Sequence, residues 1–391
     1  MISVSQALDL LFDLAGPLPA ETVPLSQANG RILAAPVTAR RDQPPFAASA
    51  MDGYGVQADG VAPDATYQVI GEAAAGHGFD GTVNAGQAVR IFTGAPVPKG
   101  VDRVIIQEDT TRDGDTITLS DTLDRGFHIR PAGGDFRNGQ QVEAPLRLRP
   151  ADIALLAAMN IADVPVVRKP RVAILSTGDE LVMPGETPGP DQIIASNTFG
   201  LQAMLRDLGA EARMLPIARD TRESLEMAFS LVDDADLLIT IGGASVGDHD
   251  LVGDVAQDLG MQRSFYKIAM RPGKPLMAGR LASGAMMIGL PGNPVSAMVC
   301  GQIFVIPVLR AMLGLGSAPA PTQQAPLAHP IDANGPREHY MRARFDNGVL
   351  TVFDNQDSSL LSFLSQANAL VIRPPNDPAQ AMGAQVAFLP I

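Results

Sequence analysis

A stretch near the middle of the chain combines an apolar run, three glycines, a hydroxyl and two carboxylates. It extends from Leu237 to Asp250 and reads Leu-Leu-Ile-Thr-Ile-Gly-Gly-Ala-Ser-Val-Gly-Asp-His-Asp. Residues 237–241 are apolar or β-branched, which predicts a buried strand. Glycines after such a strand let backbone N–H groups approach a ligand, and the polar residues that follow suit an oxyanion or phosphate held beside a divalent metal. The candidates are Gly242, Gly243, Ser245, Gly247, Asp248 and Asp250. The alternative is an ordinary tight turn with a solvated pair of aspartates.

A second pair of carboxylates, Asp179 and Glu180, follows an apolar run at 172–175. Adjacent carboxylates at a strand end suit a metal or the polarisation of water. The alternative is a helix N-terminus, where acidic side chains interact favourably with the helix dipole. Asp220 is a weaker candidate, because capping of a helix predicted at about 221–232 explains it: Asp220 and Glu223 have capping-box spacing.

Three cations, Lys267, Arg271 and Lys274, lie within eight residues of an otherwise acidic chain. The Pro-Gly-Lys-Pro frame at 272–275 makes this segment rigid, so we predict a local anion site. The spacing is not that of a Walker nucleotide-binding loop, and a solvated basic turn is the alternative.

The tetrapeptide Pro291-Gly292-Asn293-Pro294 opens a long apolar helix. Free N–H groups at a helix N-terminus can hold a phosphate. Simple initiation of a helix by proline explains the same residues without a ligand.

Composition limits the classes of function. The 391 residues are too many for one core, and 46% hydrophobic with 18% charged residues describes a folded chain of two to four domains. A net charge of −13 argues against non-specific binding to nucleic acid or to an anionic membrane, although it allows a local basic pocket. The single Cys300 forms no intrachain disulfide, which fits a reducing cytosol. We expect no membrane-spanning helix, no signal peptide and no structural zinc site.

Hydrophobic periodicity places these loops on a scaffold. Residues 3–15 are predicted to form a helix with a Ser3–Gln6 capping box, and residues 151–159 a second helix. Between them, short β runs with an Asp113-Gly114 hairpin signal indicate a small β-domain. From 171 onward, strands alternate with helices, which predicts a parallel sheet covered on both faces. The loops after 175, 241 and 290 then share the carboxyl edge of that sheet, where ligands bind. A tail of short β runs follows a linker at 314–328.

From these residues alone, the chain is an enzyme or a binding protein for an anionic, phosphorylated ligand with a divalent cation. Its site lies on an α/β domain. The residues do not name a reaction.

Six motifs occur in one order and together resemble the MoeA family, the molybdopterin molybdenumtransferases of molybdenum cofactor biosynthesis. They are Ser-Ala-Met-Asp-Gly-Tyr (49–54), Thr-Gly-Ala-Pro-Val-Pro (93–98), Ser-Thr-Gly-Asp-Glu-Leu (176–181), Gly-Gly-Ala-Ser-Val-Gly-Asp-His-Asp (242–250), Pro-Gly-Lys-Pro (272–275) and Leu-Pro-Gly-Asn-Pro-Val-Ser (290–296). The resemblance covers nearly the whole chain.

The resemblance implies a multidomain fold of α/β and β class. An elongated N-terminal helix and linker domain, which also serves dimerisation, takes 1–48 plus 136–168. A small β-domain takes 49–135, a MogA-like parallel α/β sandwich domain that binds molybdopterin takes 169–314, and a C-terminal β-barrel-like domain takes 315–391.

The implied reaction inserts molybdate into adenylylated molybdopterin and releases AMP, with Mg²⁺ as the divalent cation. The implied assembly is a cytoplasmic homodimer whose site lies between the α/β domain of one subunit and the small β-domain of the other. A molybdopterin adenylyltransferase and molybdoenzyme apoproteins or chaperones are expected partners; nucleic acid and membrane are not.

The resemblance also assigns residues. The catalytic set is Glu180, Asp220, Asp250, Lys267 and Lys274, of which Glu180, Asp220 and Asp250 are also the metal set. The substrate-binding set is Asp52, Thr93, Arg130, Asp135, Thr177, Gly178, Gly242, Gly243, Ser245, Gly247, Arg271, Pro291, Gly292, Asn293, Pro294 and Ser358. Two positions depart from the family pattern. Arg271 stands where several members have Lys, and a planar fork differs from a point donor in the oxyanion geometry it offers. Ser358 follows Asp357, whereas the family often has Gly-Ser.

Three rival interpretations remain. A MogA-type molybdopterin adenylyltransferase has the α/β domain alone, and the two β-domains predicted here argue against it. A non-catalytic scaffold of the gephyrin kind is a second alternative, which a turnover assay distinguishes. The third is a paralogue that prefers tungstate, since oxyanion choice depends on pocket geometry.

Overall fold

The computed structural model describes residues 1–243 and 251–391. Within them the chain forms two compact units. The larger unit comprises 1–21, 30–34 and 166–391, and the smaller comprises 22–29 and 35–165. The predicted site residues Ser245, Gly247, Asp248 and Asp250 lie outside the described residues.

Side-chain caps begin some of the helices but not all: Ser196, the N-cap of the Asn197–Asp207 helix, makes no side-chain capping bond. The first begins after Ser3, whose side chain and that of Gln6 form the predicted capping box. The α-helices are Val4–Leu14, Pro150–Ala158, Asn197–Asp207, Arg222–Phe229, Leu251–Asp258, Pro294–Cys300, Ile306–Met312 and Leu361–Leu364. Short 3₁₀ segments lie at Leu25–Gln27 and Gln107–Asp109.

The smaller unit contains a six-stranded sheet. Its strand order is Arg103–Ile106, Gly53–Val56, Gln87–Ile91, Thr66–Ala73, Thr116–Leu119 and Thr110–Asp113. The last two strands are antiparallel, with Thr116 opposite Asp113, so the hairpin predicted at Asp113-Gly114 is confirmed. Buried Tyr54, Ile105 and Ile117 contribute to the apolar core on one face of the sheet.

The α/β part of the larger unit is built on a second six-stranded sheet. Four strands are parallel and lie in the order Glu211–Met214, Arg171–Ser176, Leu237–Ile241 and Met286–Leu290. Two antiparallel strands, Met277–Arg280 and Gln262–Tyr266, extend the sheet beyond the last of these. The expectation of a wholly parallel sheet is therefore wrong at one edge. A parallel connection needs about a dozen residues or more, and the turn at 281–285 is far shorter.

Helices cover both faces of this sheet. Side chains alternate along Leu237–Ile241, so Ile239 joins one apolar cluster and Leu238 the other. The first cluster includes Leu8 and Leu11 of the N-terminal helix, and the second includes Leu225 of the Arg222–Phe229 helix. The strand is therefore buried on both sides, as its unbroken apolar sequence predicts.

The helix after Pro294 is the longest apolar element. It runs from Pro294 to Met312 as two α segments joined by a π segment, Gly301–Val305. By length and composition alone it could cross a membrane, but 78% of its most apolar 18-residue window is buried inside the protein, as in a core helix.

The C-terminal part forms a third six-stranded sheet around its own core. Leu350, Val371 and Phe388 lie in that core. The paired strands are Met270–Arg271, Glu338–Asp346, Ala369–Arg373, Gln385–Pro390 and Gln323–Pro326, with Val349–Val352 beside Glu338–Asp346. The first of these belongs to the cationic segment of the α/β part and pairs in parallel with Glu338–Asp346. This pairing sets the C-terminal sheet against the Pro-Gly-Lys-Pro frame.

The remaining strands are short. They are Ala20–Pro24, Ile32–Leu33, Val37–Thr38, Ala48–Ser49, Ile129–Arg130, Gln141–Val142, Leu146–Arg147, Asp163–Val167, Leu181–Val182 and Ile193–Ile194.

Candidate functional site

A cavity of about 1010 Å³ opens at the carboxyl edge of the parallel strands. Ser176 pairs with Ile241, and Ile241 with Leu290, so three strands end at one level. The loops that leave them line the cavity, and the prediction that these loops share one sheet edge is confirmed. The register explains it: parallel strands in step bring loops that are far apart in sequence to one site.

The cavity gathers most of the site residues predicted in the larger unit. Those that line it are Thr177, Gly178, Glu180, Asp220, Gly242, Gly243, Arg271, Lys274, Pro291, Gly292, Asn293, Pro294 and Ser358.

One wall of the cavity is acidic. It carries Glu180 and Asp220, and Asp179 lies beside them. Partial burial raises the pKa of Asp220, and the charges of Asp179 and Glu180 raise it further. The side chain stays open to solvent, so the effect is modest. Three carboxylates thus repel one another at this wall, and a bound cation would relieve that repulsion.

The predicted capping role of Asp220 is wrong. The helix begins one residue later, and Thr221 is its N-cap, with a side chain that accepts from the Ser224 N–H. Threonine occupies the cap because its hydroxyl lies three residues before the free N–H group. Asp220 is left to the cavity, and this strengthens its candidacy.

Glycine at 178 fits both the local backbone conformation and the observed position of Glu180. Its φ is +147°, and a Cβ there would come within 2.3 Å of Glu180 Oε2. The backbone therefore leaves space into which the carboxylate folds. Next to it the Thr177 hydroxyl, in a residue only 3% exposed, has no hydrogen-bond partner within the described structure.

These donors fit a hard divalent cation. Carboxylate and hydroxyl oxygens are the ligands that Mg²⁺ prefers. Among residues 1–243 and 251–391, no group of three or more His, Cys, Asp or Glu side chains forms a complete metal site. Glu180 and Asp220 supply two of the three predicted ligands, and the third, Asp250, is outside the described residues.

Another part of the cavity wall is cationic. Arg271, Lys274 and Arg337 line it, and none of the ion pairs in the described part of the chain involves them. Nearby, burial together with the charges of Arg271 and other arginines lowers the pKa of His339 to about 4. Cationic side chains that form no ion pair within the described residues favour the binding of an anion at this part of the cavity.

The Pro291–Pro294 turn is clamped from two sides. Asn197 Nδ2 donates to the Gly292 carbonyl at 2.7 Å, and Asn293 Nδ2 donates to Ser358 Oγ at 3.1 Å. The Val295 N–H donates to the Ser358 carbonyl at 3.1 Å, so this helix N-terminal group is not free for a phosphate. The helix N-terminus therefore offers a phosphate fewer free N–H groups than the sequence predicts.

Lys267 does not line the cavity. Its ammonium group lies 4.8 Å from the centre of the Tyr266 ring, and its φ is +72°. Of the three predicted cations, the structure brings only Arg271 and Lys274 to the cavity.

Four predicted substrate-binding residues lie in the smaller unit. Asp52 Oδ1 accepts from both the N–H and the hydroxyl of Thr93, each at 2.7 Å, and these bonds lower the pKa of Asp52. Arg130 lies on a strand that pairs with Ala48, and the Asp135 N–H donates to the Gln43 carbonyl at 2.9 Å.

Sequence reasoning missed several residues that line the cavity. They are Asn197, Arg337, Gln356, Asp357 and Ser359. None of them belongs to a motif of catalytic type.

Comparison with known proteins places the whole chain. Residues 2–160 match the family model for the MoeA N-terminal region (domain I and II), 173–311 that for a probable molybdopterin binding domain, and 324–391 that for the MoeA C-terminal region (domain IV). A molybdopterin molybdenumtransferase of Nostoc is 35% identical over 100% of this chain and 94% of its own. The chain belongs to the MoeA family of molybdopterin molybdenumtransferases.

Other MoeA proteins agree with this assignment. A molybdopterin molybdenumtransferase of Haemophilus influenzae is 39% identical over 80% of this chain and 78% of its own. The crystal structure of the molybdopterin biosynthesis MoeA protein of Pyrococcus horikoshii covers 100% of both chains at 28% identity, with a TM-score of 0.83. The multidomain MoeA-like fold is therefore shown.

Proposed function

We propose that this protein is a molybdopterin molybdenumtransferase that inserts molybdate into adenylylated molybdopterin. The pyrophosphate bond is cleaved, AMP is released, and molybdenum remains on the dithiolene sulfurs. The observation that carries the proposal is one cavity lined both by the carboxylates of Glu180 and Asp220 and by the cations of Arg271, Lys274 and Arg337, which form no ion pair within the described residues. A substrate with phosphates, used together with an oxyanion and a divalent cation, needs both walls.

Each wall has its own task. The cations bind and orient the phosphate and oxyanion oxygens, and their charge stabilises the negative charge that develops when the pyrophosphate bond breaks. Glu180 and Asp220 would hold Mg²⁺, which when bound supplies neutralisation of the phosphate oxygens. Gly178 keeps the Glu180 carboxylate in place, because any larger residue would displace it.

The active form is proposed to be a cytoplasmic homodimer. Asp52, Thr93, Arg130 and Asp135 would then complete the site of the other subunit. The hydrogen bonds between Asp52 and Thr93 support this, since they fix a carboxylate on the surface of the smaller unit. Molybdopterin adenylyltransferase as supplier of substrate, and molybdoenzyme apoproteins or chaperones as recipients of product, are the corresponding proposed partners.

The test is turnover with adenylylated molybdopterin, Mg²⁺ and molybdate, followed by AMP release. Glu180→Gln removes one charge from the acidic wall and should lower the rate by roughly 100-fold or more, in line with loss of a catalytic or metal-holding carboxylate. Glu223→Gln, the same exchange outside the cavity, is the control and should keep the rate of the parent protein.

Three results would count against the proposal. Full activity of Glu180→Gln would remove Glu180 from the site. Formation of adenylylated molybdopterin from molybdopterin and ATP would favour the adenylyltransferase alternative. Absence of any turnover with an intact dimer would favour the scaffold alternative. A parallel assay with tungstate decides which oxyanion is preferred.

A further inference from the structure

Two arginines of the C-terminal sheet, Arg342 and Arg373, are each only 2% exposed. Arg373 is paired with the Asp377 carboxylate and also donates to two backbone carbonyls away from the cavity, those of Asp332 and Pro378. Arg342 makes no ion pair in the described part of the chain. A buried guanidinium is costly unless its donors are satisfied, so the groups that satisfy Arg342 reveal what it holds.

All the side-chain hydrogen bonds of Arg342 go to one short segment, residues 355–357. Its Nε donates to Gln356 Oε1 at 3.2 Å, and its two terminal nitrogens donate to the carbonyls of Asp357 at 2.6 Å and Asn355 at 3.4 Å. Gln356 returns the contact to the Arg342 backbone: Oε1 accepts from the N–H at 2.9 Å, and Nε2 donates to the carbonyl at 3.0 Å. Arginine and glutamine therefore fasten this segment to the Glu338–Asp346 strand.

The fastened segment leads directly into the cavity wall. Gln356, Asp357, Ser358 and Ser359 all line the cavity. Ser358 meets the Pro291–Pro294 turn through Asn293 and the helix that follows through Val295. Hydrogen bonds, joined by the backbone between Asp357 and Ser358, thus connect the buried Arg342 to a loop at the carboxyl edge of the parallel sheet.

We propose that Arg342 is a positioning residue for oxyanion binding: with Gln356 it holds the 355–358 segment against the Pro291–Pro294 turn and so fixes the C-terminal wall of the cavity. The inference rests on the proposed function, because it takes molybdate as the oxyanion. The planar fork explains the residue type, since it reaches three acceptors on one segment, which the point charge of lysine cannot do.

The experiment compares the same exchange at the two buried arginines. Direct molybdate binding, by equilibrium dialysis, and AMP release at varied molybdate are measured for the parent protein, Arg342→Lys and Arg373→Lys, with thermal unfolding in parallel. We expect Arg342→Lys to raise the half-saturating molybdate concentration about tenfold, the equivalent of one or two lost hydrogen bonds, with the rate at saturation nearly unchanged. Arg373→Lys should lower Tm and leave molybdate binding as in the parent protein.

Gln356→Met is the second variant, because it removes the amide but keeps the length and avoids an uncompensated buried charge. It should weaken molybdate binding in the same direction as Arg342→Lys, even if Arg342→Lys does not fold. Unchanged molybdate binding in Gln356→Met, or in a folded Arg342→Lys, overturns the inference. Equal weakening in Arg373→Lys also overturns it, since the effect would then be one of general stability. A parent protein that binds no molybdate overturns the proposed function itself, and the inference with it.

Discussion

The acidic wall and the part of the cavity lined by Arg337 and the 356–359 segment, called here the C-terminal wall, are built in different ways. The acidic wall comes from loops that directly follow parallel strands, so Glu180 lies four residues beyond the end of the Arg171–Ser176 strand. The wall formed by Arg337 and the 356–359 segment comes from the C-terminal sheet, more than 150 residues further along the chain. The first wall is set by strand register, and the second by how one sheet packs on another.

This difference predicts which kinds of substitution each wall tolerates. Residues of the acidic wall are held by local backbone geometry, for instance a glycine at φ +147°. Residues of the C-terminal wall are held by long-range hydrogen bonds from a buried arginine. We therefore expect small changes of backbone to damage the first wall and changes of charge or hydrogen bonding to damage the second.

After Glu180→Gln, the largest effect is expected for Gly178→Ala. The new Cβ would lie 2.3 Å from Glu180 Oε2 and the backbone would be strained, so the carboxylate must move. AMP release should fall by roughly 30-fold, because a displacement of a catalytic group by about 1 Å can cost a large part of the rate. Gly185→Ala is the matched control, because Gly185 also has a positive φ, of +96°, but open space around it. Equal losses in both variants would mean that backbone strain alone is responsible.

Lys274→Met should give an intermediate effect confined to anion affinity. Removal of one unpaired cation from the cavity should raise the half-saturating molybdate concentration about tenfold at low ionic strength, and less at high salt. Lys267→Met is the comparison, since Lys267 lies on the Tyr266 ring and not on the cavity. The same titration should show a clearly weaker effect there. A larger effect at Lys267 would restore its sequence-based assignment as a site cation.

The smallest effect is expected for Asp220→Asn, measured by thermal unfolding. The pKa of Asp220 is raised in the folded protein, so the folded state binds the proton more tightly and stability falls as pH rises through the interval above the reference value of 3.8. Without Mg²⁺ at pH 7 the variant should therefore gain in Tm, by about 1 °C given the exposure of the side chain. The gain should vanish near pH 3.

Mg²⁺ provides the second half of that test. The Tm increase caused by Mg²⁺ should shrink in Asp220→Asn and stay intact in Glu223→Gln. An undiminished Mg²⁺ response in Asp220→Asn would separate Asp220 from the metal.

Much of the fold followed from local pattern. The Ser3–Gln6 capping box, the hairpin at Asp113-Gly114 and the buried strand at 237–241 were each specified by residues close together in sequence. Two predictions failed, one because neighbouring residues compete for the same helix-cap position and the other because a connecting turn is too short for a parallel pair. Thr221 displaced Asp220 as a helix cap, and a five-residue turn at 281–285 forced an antiparallel pair onto the parallel sheet.

The candidate site likewise contains residues that the local sequence predicted and residues that it did not. Glycines and charged residues after strands were sufficient to identify the acidic wall and two of the three predicted cations, because the loops that follow parallel strands converge at one edge of the sheet. Arg337 and the 356–359 segment carry no such signal. The N–H of Val295 looked free from the sequence but is bonded to Ser358, a partner 63 residues away.

The sequence by itself determined the strands, the loops that follow them and the family to which the chain belongs, because these depend on the order and spacing of residues within short segments. Only the tertiary structure decided which charged residues line the cavity and which lie outside it, as Lys267 does. The physical reason is that an unpaired cation, a crowded carboxylate or a buried arginine is defined by what lies around it. Those neighbours come from distant parts of the chain.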